Sequence, residues 1–253
     1  MISESYYISD ENISTKNYKP LNKYNEFFQK FYFKRIYKLN HMDFEYAIWQ
    51  ICYIFLSPQK VYRNFQYRKS LSNRWARDDP AFFVLMMLFC SCSTVIFALV
   101  LNMSFLHFIK FMIWVIIVDC GLVSIIMATG FWLLCNYCTA PPNIIEWGYA
   151  FDVQLNAYFP LIIILHLIQL PFLYSIILRN WFISAVVGNT FWLTGILYYL
   201  YITFLGYSAL PHFQHSKLFL YPMSVVVFIY LSSIFLQWNL TASLCYFYQY
   251  RVI

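Results

Sequence analysis

Beyond Pro80 the chain is built from long uncharged runs separated by single charged positions. Ala81–Ile109, Cys120–Ile145, Val153–Leu178, Asn180–Ser216 and Leu218–Tyr250 contain no Asp, Glu, Lys or Arg. A helix that crosses a bilayer needs about 20 apolar residues in succession, and each run supplies that length. The runs are continuous and lack the strict alternation of barrel strands, so helices are the predicted form. Five spans follow, near Ala81–Leu101, Phe111–Cys135, Asn156–Leu178, Phe182–Leu205 and Phe219–Leu240, with short loops between them. A further apolar stretch, Met42–Leu56, carries Asp43 and Glu45. At about 1.5 Å per residue its helix reaches only about 22 Å. It is read as an interfacial amphipathic helix capped by Asn40, with Trp49, Tyr53 and Phe55 among lipid head groups.

Composition agrees with this pattern. The 253 residues are 61% hydrophobic and 11% charged, with a mean hydropathy of +0.57, too few charges to clothe a soluble core of this size. The net charge of +6 is unevenly placed: residues 1–80 hold 13 of the 17 basic and 8 of the 11 acidic side chains. A basic excess ahead of the first span predicts a cytosolic N-terminus, and five spans then put the C-terminus in the lumen. Residues 1–80, 136–155 and 206–218 fall in the cytosol, and residues 102–110, 179–181 and the tail after Leu240 in the lumen. No apolar run begins near Met1, so span one is the expected insertion signal and no cleavable signal peptide is expected. The predicted organisation is an all-α integral membrane protein: a variable, disordered tail over 1–37, a cytosolic basic-aromatic segment over 38–80, and a five-helix transmembrane domain over 81–253.

The segment SPQKVYRNFQYRK from Ser57, followed by WARDDPAF, interleaves Lys60, Arg63, Arg68, Lys69, Arg74 and Arg77 with Tyr62, Phe65, Tyr67 and Trp75. Such interleaving suits anionic head groups first, a docking protein second and RNA third. Together with MDFEYAIWQ (Met42–Gln50), EWGYAFDVQLNAYFP (Glu146–Pro160), GNTFWL (Gly188–Leu193) and FLGYSALP (Phe204–Pro211), these strings resemble the uncoordinated-fifty family of Golgi multi-pass membrane proteins. The resemblance runs from about Lys38 to the YRV near the C-terminus. It implies five spans, residence in the Golgi (or else the inner nuclear membrane or endoplasmic reticulum), and a part in vesicle-mediated transport and delivery of membrane receptors to the cell surface. It also implies large Arf guanine-nucleotide exchange factors and cargo receptors as partners, with RNA binding as a further implication. No catalytic residue, cofactor or metal comes with it. All but GNTFWL fall on or beside the predicted cytosolic face. The partner-surface candidates are Arg63, Arg68, Arg74 and Arg77, with Glu146, Trp147, Tyr149, Asp152 and Tyr207 in the loops beside them. The basic segment is expected to dock over Glu146 and Asp152.

Within the spans, Asp119, His166 and Gln169 form a candidate polar network, because ionisable groups at that depth face a protein interior. Asp119 and His166 would differ in depth by roughly 6 Å across an antiparallel pair. A contact locking two helices is the favoured reading, and a small proton-coupled transporter or channel is the alternative. The odd number of spans and the lack of an internal repeat weigh against that alternative. Pro171 is expected to kink span three. Cys120, Ser124 and Ala128 make a small-residue stripe, Ser184 and Gly188 a close-packing pair, and Asn189 an interhelical hydrogen bonder. Cys135-x-x-Cys138 and His212-x-x-His215 have a zinc-compatible composition, but juxtamembrane palmitoylation is preferred to metal. Sequons at Asn12, Asn102 and Asn239 are either cytosolic or too close to the bilayer to be strong glycan sites. Phosphate-loop, nucleophile-elbow and zinc-protease motifs do not occur.

Overall fold

The computed structural model describes residues 42–72, 75, 79–101, 103–138, 145–179, 181–211, 213 and 215–252. Among the described residues the chain is helical, without a strand. Two short helices, α1 (Phe44–Leu56) and α2 (Pro58–Ser72), precede five helices long and apolar enough to cross a membrane. These are α3 (Ala81–Val100), α4 (Phe105–Tyr137), α5 (Trp147–Ile177), α6 (Phe182–Ser208) and α7 (Ser216–Phe235). An eighth helix, α8 (Leu240–Val252), follows. The five run alternately up and down, so the bundle has one face bearing α1 and α2 and an opposite face bearing the α7–α8 turn.

Polarity is inverted relative to a soluble bundle. Gln50, Gln154, Asn156, Asn189 and Thr203 are buried, while Val225, Phe228, Leu231 and Phe235 of α7 are exposed. Lipid rewards this arrangement, because apolar side chains lose nothing by facing acyl chains and polar ones must find partners inside.

Span three departs most from the sequence reading. It begins at Trp147, not near Asn156, and EWGYAFDVQLNAYFP forms helix from Trp147 onward in place of the predicted cytosolic loop. Asp152, Gln154 and Asn156 depress the local hydropathy, yet all three are buried. Gln50 of α1 donates to Asn156 Oδ1, and the Tyr199 hydroxyl donates to Gln154 Oε1 at 2.5 Å. Buried partners replace water, and the helix continues.

Span two starts earlier than predicted, at Phe105, and takes in exposed Lys110, whose long stem lets the ammonium reach the membrane edge. The cap of α1 is Asp43, which accepts from the Tyr46 amide at 2.9 Å; Asn40 lies outside the described residues. One stripe of α1, Ala47, Gln50 and Ile54, is buried against the bundle, while Phe55 and Leu56 are exposed. The small residues behave as packing faces: Cys120, Ser124 and Ala128 are all buried, and Cys120 Sγ lies 2.9 Å from Cys90 Sγ of α3.

Span five ends at Phe235. There Gln237 takes a left-handed backbone (φ 54°), its amide bonds the Ile234 carbonyl and the Trp238 amide bonds the Ser233 carbonyl at 2.8 Å. That pair of bonds is a Schellman stop. Asn239 then starts α8 by accepting from the Ala242 amide at 3.0 Å, and its Nδ2 donates to the Ile177 carbonyl at 2.8 Å. The segment read as a lumenal tail is therefore a docked helix, and the sequon amide of Asn239 is engaged in holding it.

Candidate functional site

Two regions hold the candidate residues. The first is the face built by α1 and α2. The inner side of α2, formed by Val61, Tyr62 and Phe65, is buried, and Gln66 Nε2 bonds the Ala209 carbonyl at the end of α6 at 2.8 Å. With that side held, Lys60, Arg63 and Tyr67 are exposed on the other. Lys60 Nζ also sits 5.3 Å from the ring of Tyr53, and the Arg68 guanidinium lies 4.1 Å from the ring of Tyr46. These cation–π contacts tie α2 to α1. Arg74 and Arg77 lie outside the described residues.

Beneath this face the family-like strings meet one another. The Tyr149 hydroxyl donates to the Gly206 carbonyl at 2.6 Å, and the rings of Tyr207 and Phe219 stack with centroids 4.5 Å apart. A β-carbon at Gly206 would lie 2.5 Å from Val153 Cγ1, 2.8 Å from Cγ2 and 3.2 Å from the Tyr62 ring. Only glycine lets α2, α5 and α6 converge there. Tyr149, Asp152 and Tyr207 are at most 1% exposed, so they lie in the interior beneath the α1–α2 face and not on an exposed surface as expected from the sequence. Trp147 is half-buried, stacks on Phe151, and donates to Thr129 Oγ1 of α4 at 3.1 Å. Glu146 caps the start of α5 in an extended conformation.

The second region lies in the half of the bundle away from α1 and α2. Asp119, His166 and Gln169 line one cavity of about 220 Å³, with Tyr158, Trp192, Thr241 and Tyr248. They do not bond one another. Asp119 Oδ2 accepts from the Tyr248 hydroxyl at 2.6 Å, His166 Nδ1 lies 3.2 Å from Ser93 Oγ, and Gln169 donates to Thr241. Asp119 and Gln169 therefore join their spans to α8, and His166 joins span three to α3. The pairing of Asp119 with His166 expected from their similar depth is not made; Tyr248 and Thr241 come from α8, which the sequence pattern places as a lumenal tail.

Asp119 and His166 both lie on π-helical stretches, Val115–Leu122 and Ile163–Ile168. The second stretch precedes Pro171, whose short α turn (Leu170–Phe172) is followed by another π-helical stretch, Leu173–Ile177. Proline has no N–H to give the ladder, and the wider turns absorb the defect. Asn189, as predicted, is an interhelical bonder: it donates to Ser233 Oγ and the Trp238 carbonyl, each at 2.8 Å, and accepts from the Leu240 amide at 3.0 Å. His212 of the cysteine–histidine quartet lies outside the described residues.

Five apolar spans around a buried polar interior, with amphipathic helices on one face, define a multi-pass membrane protein. Residues 32–249 match the model of the UNC-50 family. The chain is 50% identical to Protein unc-50 homolog B of Xenopus laevis over 225 residues, 87% of each chain. It is 48% identical to the Protein unc-50 homolog of Homo sapiens over 87% of each chain. It is also 48% identical to that of Drosophila melanogaster, over 87% of this chain and 82% of the relative. The chain belongs to the UNC-50 family. No solved structure matches it.

Proposed function

We propose that this chain is a non-enzymatic Golgi membrane protein of vesicle-mediated transport. Its α1–α2 face lies in the cytosol, where it recruits large Arf exchange factors or accompanies receptors to the cell surface. One observation carries the reading: α2 is fixed to α6 by its apolar side and presents Lys60 and Arg63 outward. A basic surface held rigid loses little conformational entropy on docking, and its charge steers acidic partners and anionic head groups toward it. The spans anchor that surface and the family-like strings build its support. The test is capture of a large Arf exchange factor by the full-length protein in membranes, comparing wild type with Lys60→Glu/Arg63→Glu. Both side chains are exposed, so the variant should fold and lose capture. Equal capture by the two proteins would refute the reading.

A further inference from the structure

We propose that the cavity lined by Asp119, Phe97, Phe111, Tyr158, Trp192 and Tyr248 is a binding site for an alkylammonium ion. Among the described residues Asp119 is the sole Asp, Glu, Lys or Arg of the lining. An acid in apolar surroundings is satisfied by a proton or by a counter-charge, and among the described residues the protein supplies one phenol hydroxyl, from Tyr248, to one of its oxygens. The rest of the wall is mixed: five aromatic rings (Phe97, Phe111, Tyr158, Trp192 and Tyr248) alternate with aliphatic side chains such as Leu161 and Leu244. The Phe111 ring stands edge-on to that of Tyr248 (centroids 5.3 Å, 73°), and the Phe97 ring edge-on to that of His166 (5.1 Å, 61°). Ring faces carry negative potential, and aromatic side chains gathered around a space are how proteins hold quaternary ammonium groups.

Other ligand classes fit less well. Calcium takes six to eight oxygen ligands and magnesium near-octahedral oxygen geometry, whereas this wall offers one carboxylate, with Gln169 and Thr241 bonded to each other, among apolar side chains. An anion would be repelled by Asp119. At about 220 Å³ the cavity is smaller than the roughly 300–1,000 Å³ of drug-sized sites, which suits a small head such as trimethylammonium. The backbone is specialised at the same place: Asp119 lies on a π-helical stretch, and its carbonyl accepts from the Tyr158 hydroxyl at 2.9 Å. Such stretches recur at functional sites because they re-aim side chains that a regular helix would misplace. Helix α8 forms one wall of the cavity and is held there through Thr241, which accepts from Gln169 and from the Trp192 indole. A cross-helix bond alone accounts for the Asp119–Tyr248 contact. It does not account for an acid, aromatic walls and a head-sized space in one place.

The ion could be free in solution or be the choline head of a lipid, and two probes separate these sources. Full-length protein in maltoside detergent is titrated with radiolabelled choline. In parallel, protein in nanodiscs of mixed phosphatidylcholine and phosphatidylethanolamine is analysed for retained lipid by native mass spectrometry. Saturable one-site choline binding identifies the free ion, and selective retention of one phosphatidylcholine identifies the lipid head. In either case affinity or retention should fall at least tenfold in Asp119→Asn and severalfold in Phe111→Leu, which keeps the carboxylate if the first variant fails to fold. Absence of saturable binding of both probes overturns the proposal, as does binding unchanged in Phe111→Leu or in a monodisperse Asp119→Asn protein.

Discussion

The Tyr149 hydroxyl reaches the Gly206 carbonyl at 2.6 Å, tying the start of the third span to the end of the fourth directly beneath the basic helix α2. Gly206 permits that approach, since Val153 Cγ1 occupies the space 2.5 Å from where a β-carbon would sit. Val153 is β-branched and buried, so it has little freedom to move aside. Gly206→Ala should lower stability by roughly 1–3 kcal/mol through overpacking. Tyr149→Phe should cost about 0.5–1.5 kcal/mol for the lost bond. The two residues share one contact, so the double variant should lose less than the sum. Thermal unfolding midpoints in detergent, compared across the four proteins, check all three statements.

The buried amide pair Gln50–Asn156 gives a test with opposite signs. Gln50→Leu leaves Asn156 in the interior without this partner and should cost about 1–3 kcal/mol, whereas Gln50→Leu/Asn156→Leu replaces both groups by apolar ones and should restore much of that loss. A double variant less stable than the single would show that the pair does more than satisfy itself.

Why the five spans are legible in the sequence and this pair is not has a physical answer. Length and continuity of apolar residues decide a crossing, and all five spans lie within a few residues of their predicted starts or ends at one terminus at least. The start of Trp147–Pro160 defeats the same rule, because Asp152, Gln154 and Asn156 look like loop residues until their burial, and the partners of Gln154 and Asn156 on other helices, are known. Local pattern cannot reveal partners such as Gln50 and Tyr199, more than 40 positions away. For the same reason Asp119, His166 and Gln169 are recognisable as interior groups by their depth, but their bonding partners on α8 and α3 are not. Asn189 is the easier case: a lone amide beside Gly188 in a span can do little but bond a neighbouring helix.

The turn into α8 holds a residue that is costly where it stands. Gln237 adopts a left-handed backbone at the stop of α7, a conformation that costs non-glycine residues about 1–2 kcal/mol. Gln237→Gly removes that cost but gives back conformational entropy in the unfolded chain, so a net gain of about 0.5–1 kcal/mol is expected. A raised unfolding midpoint would confirm it, and an unchanged or lowered one would show that the Gln237 side chain contributes to the turn.

Asn189 connects α6 to both Ser233 and the start of α8. Asn189→Ala should loosen α8 while leaving α1 and α2 in place. Hydrogen exchange should rise over residues 240–252 and stay unchanged over 44–72. A uniform rise across the chain would mean that Asn189 supports the whole bundle and not this joint.

The reading of α2 as a cytosolic working surface depends on which face of the bundle meets the cytosol. Protease protection in sealed microsomes, with one tag at the N-terminus and another at the C-terminus, asks this directly. The expected result is that protease removes the N-terminal tag from intact vesicles and reaches the C-terminal tag only after detergent is added. Digestion of both tags in intact vesicles, or of the C-terminal tag alone, would contradict it.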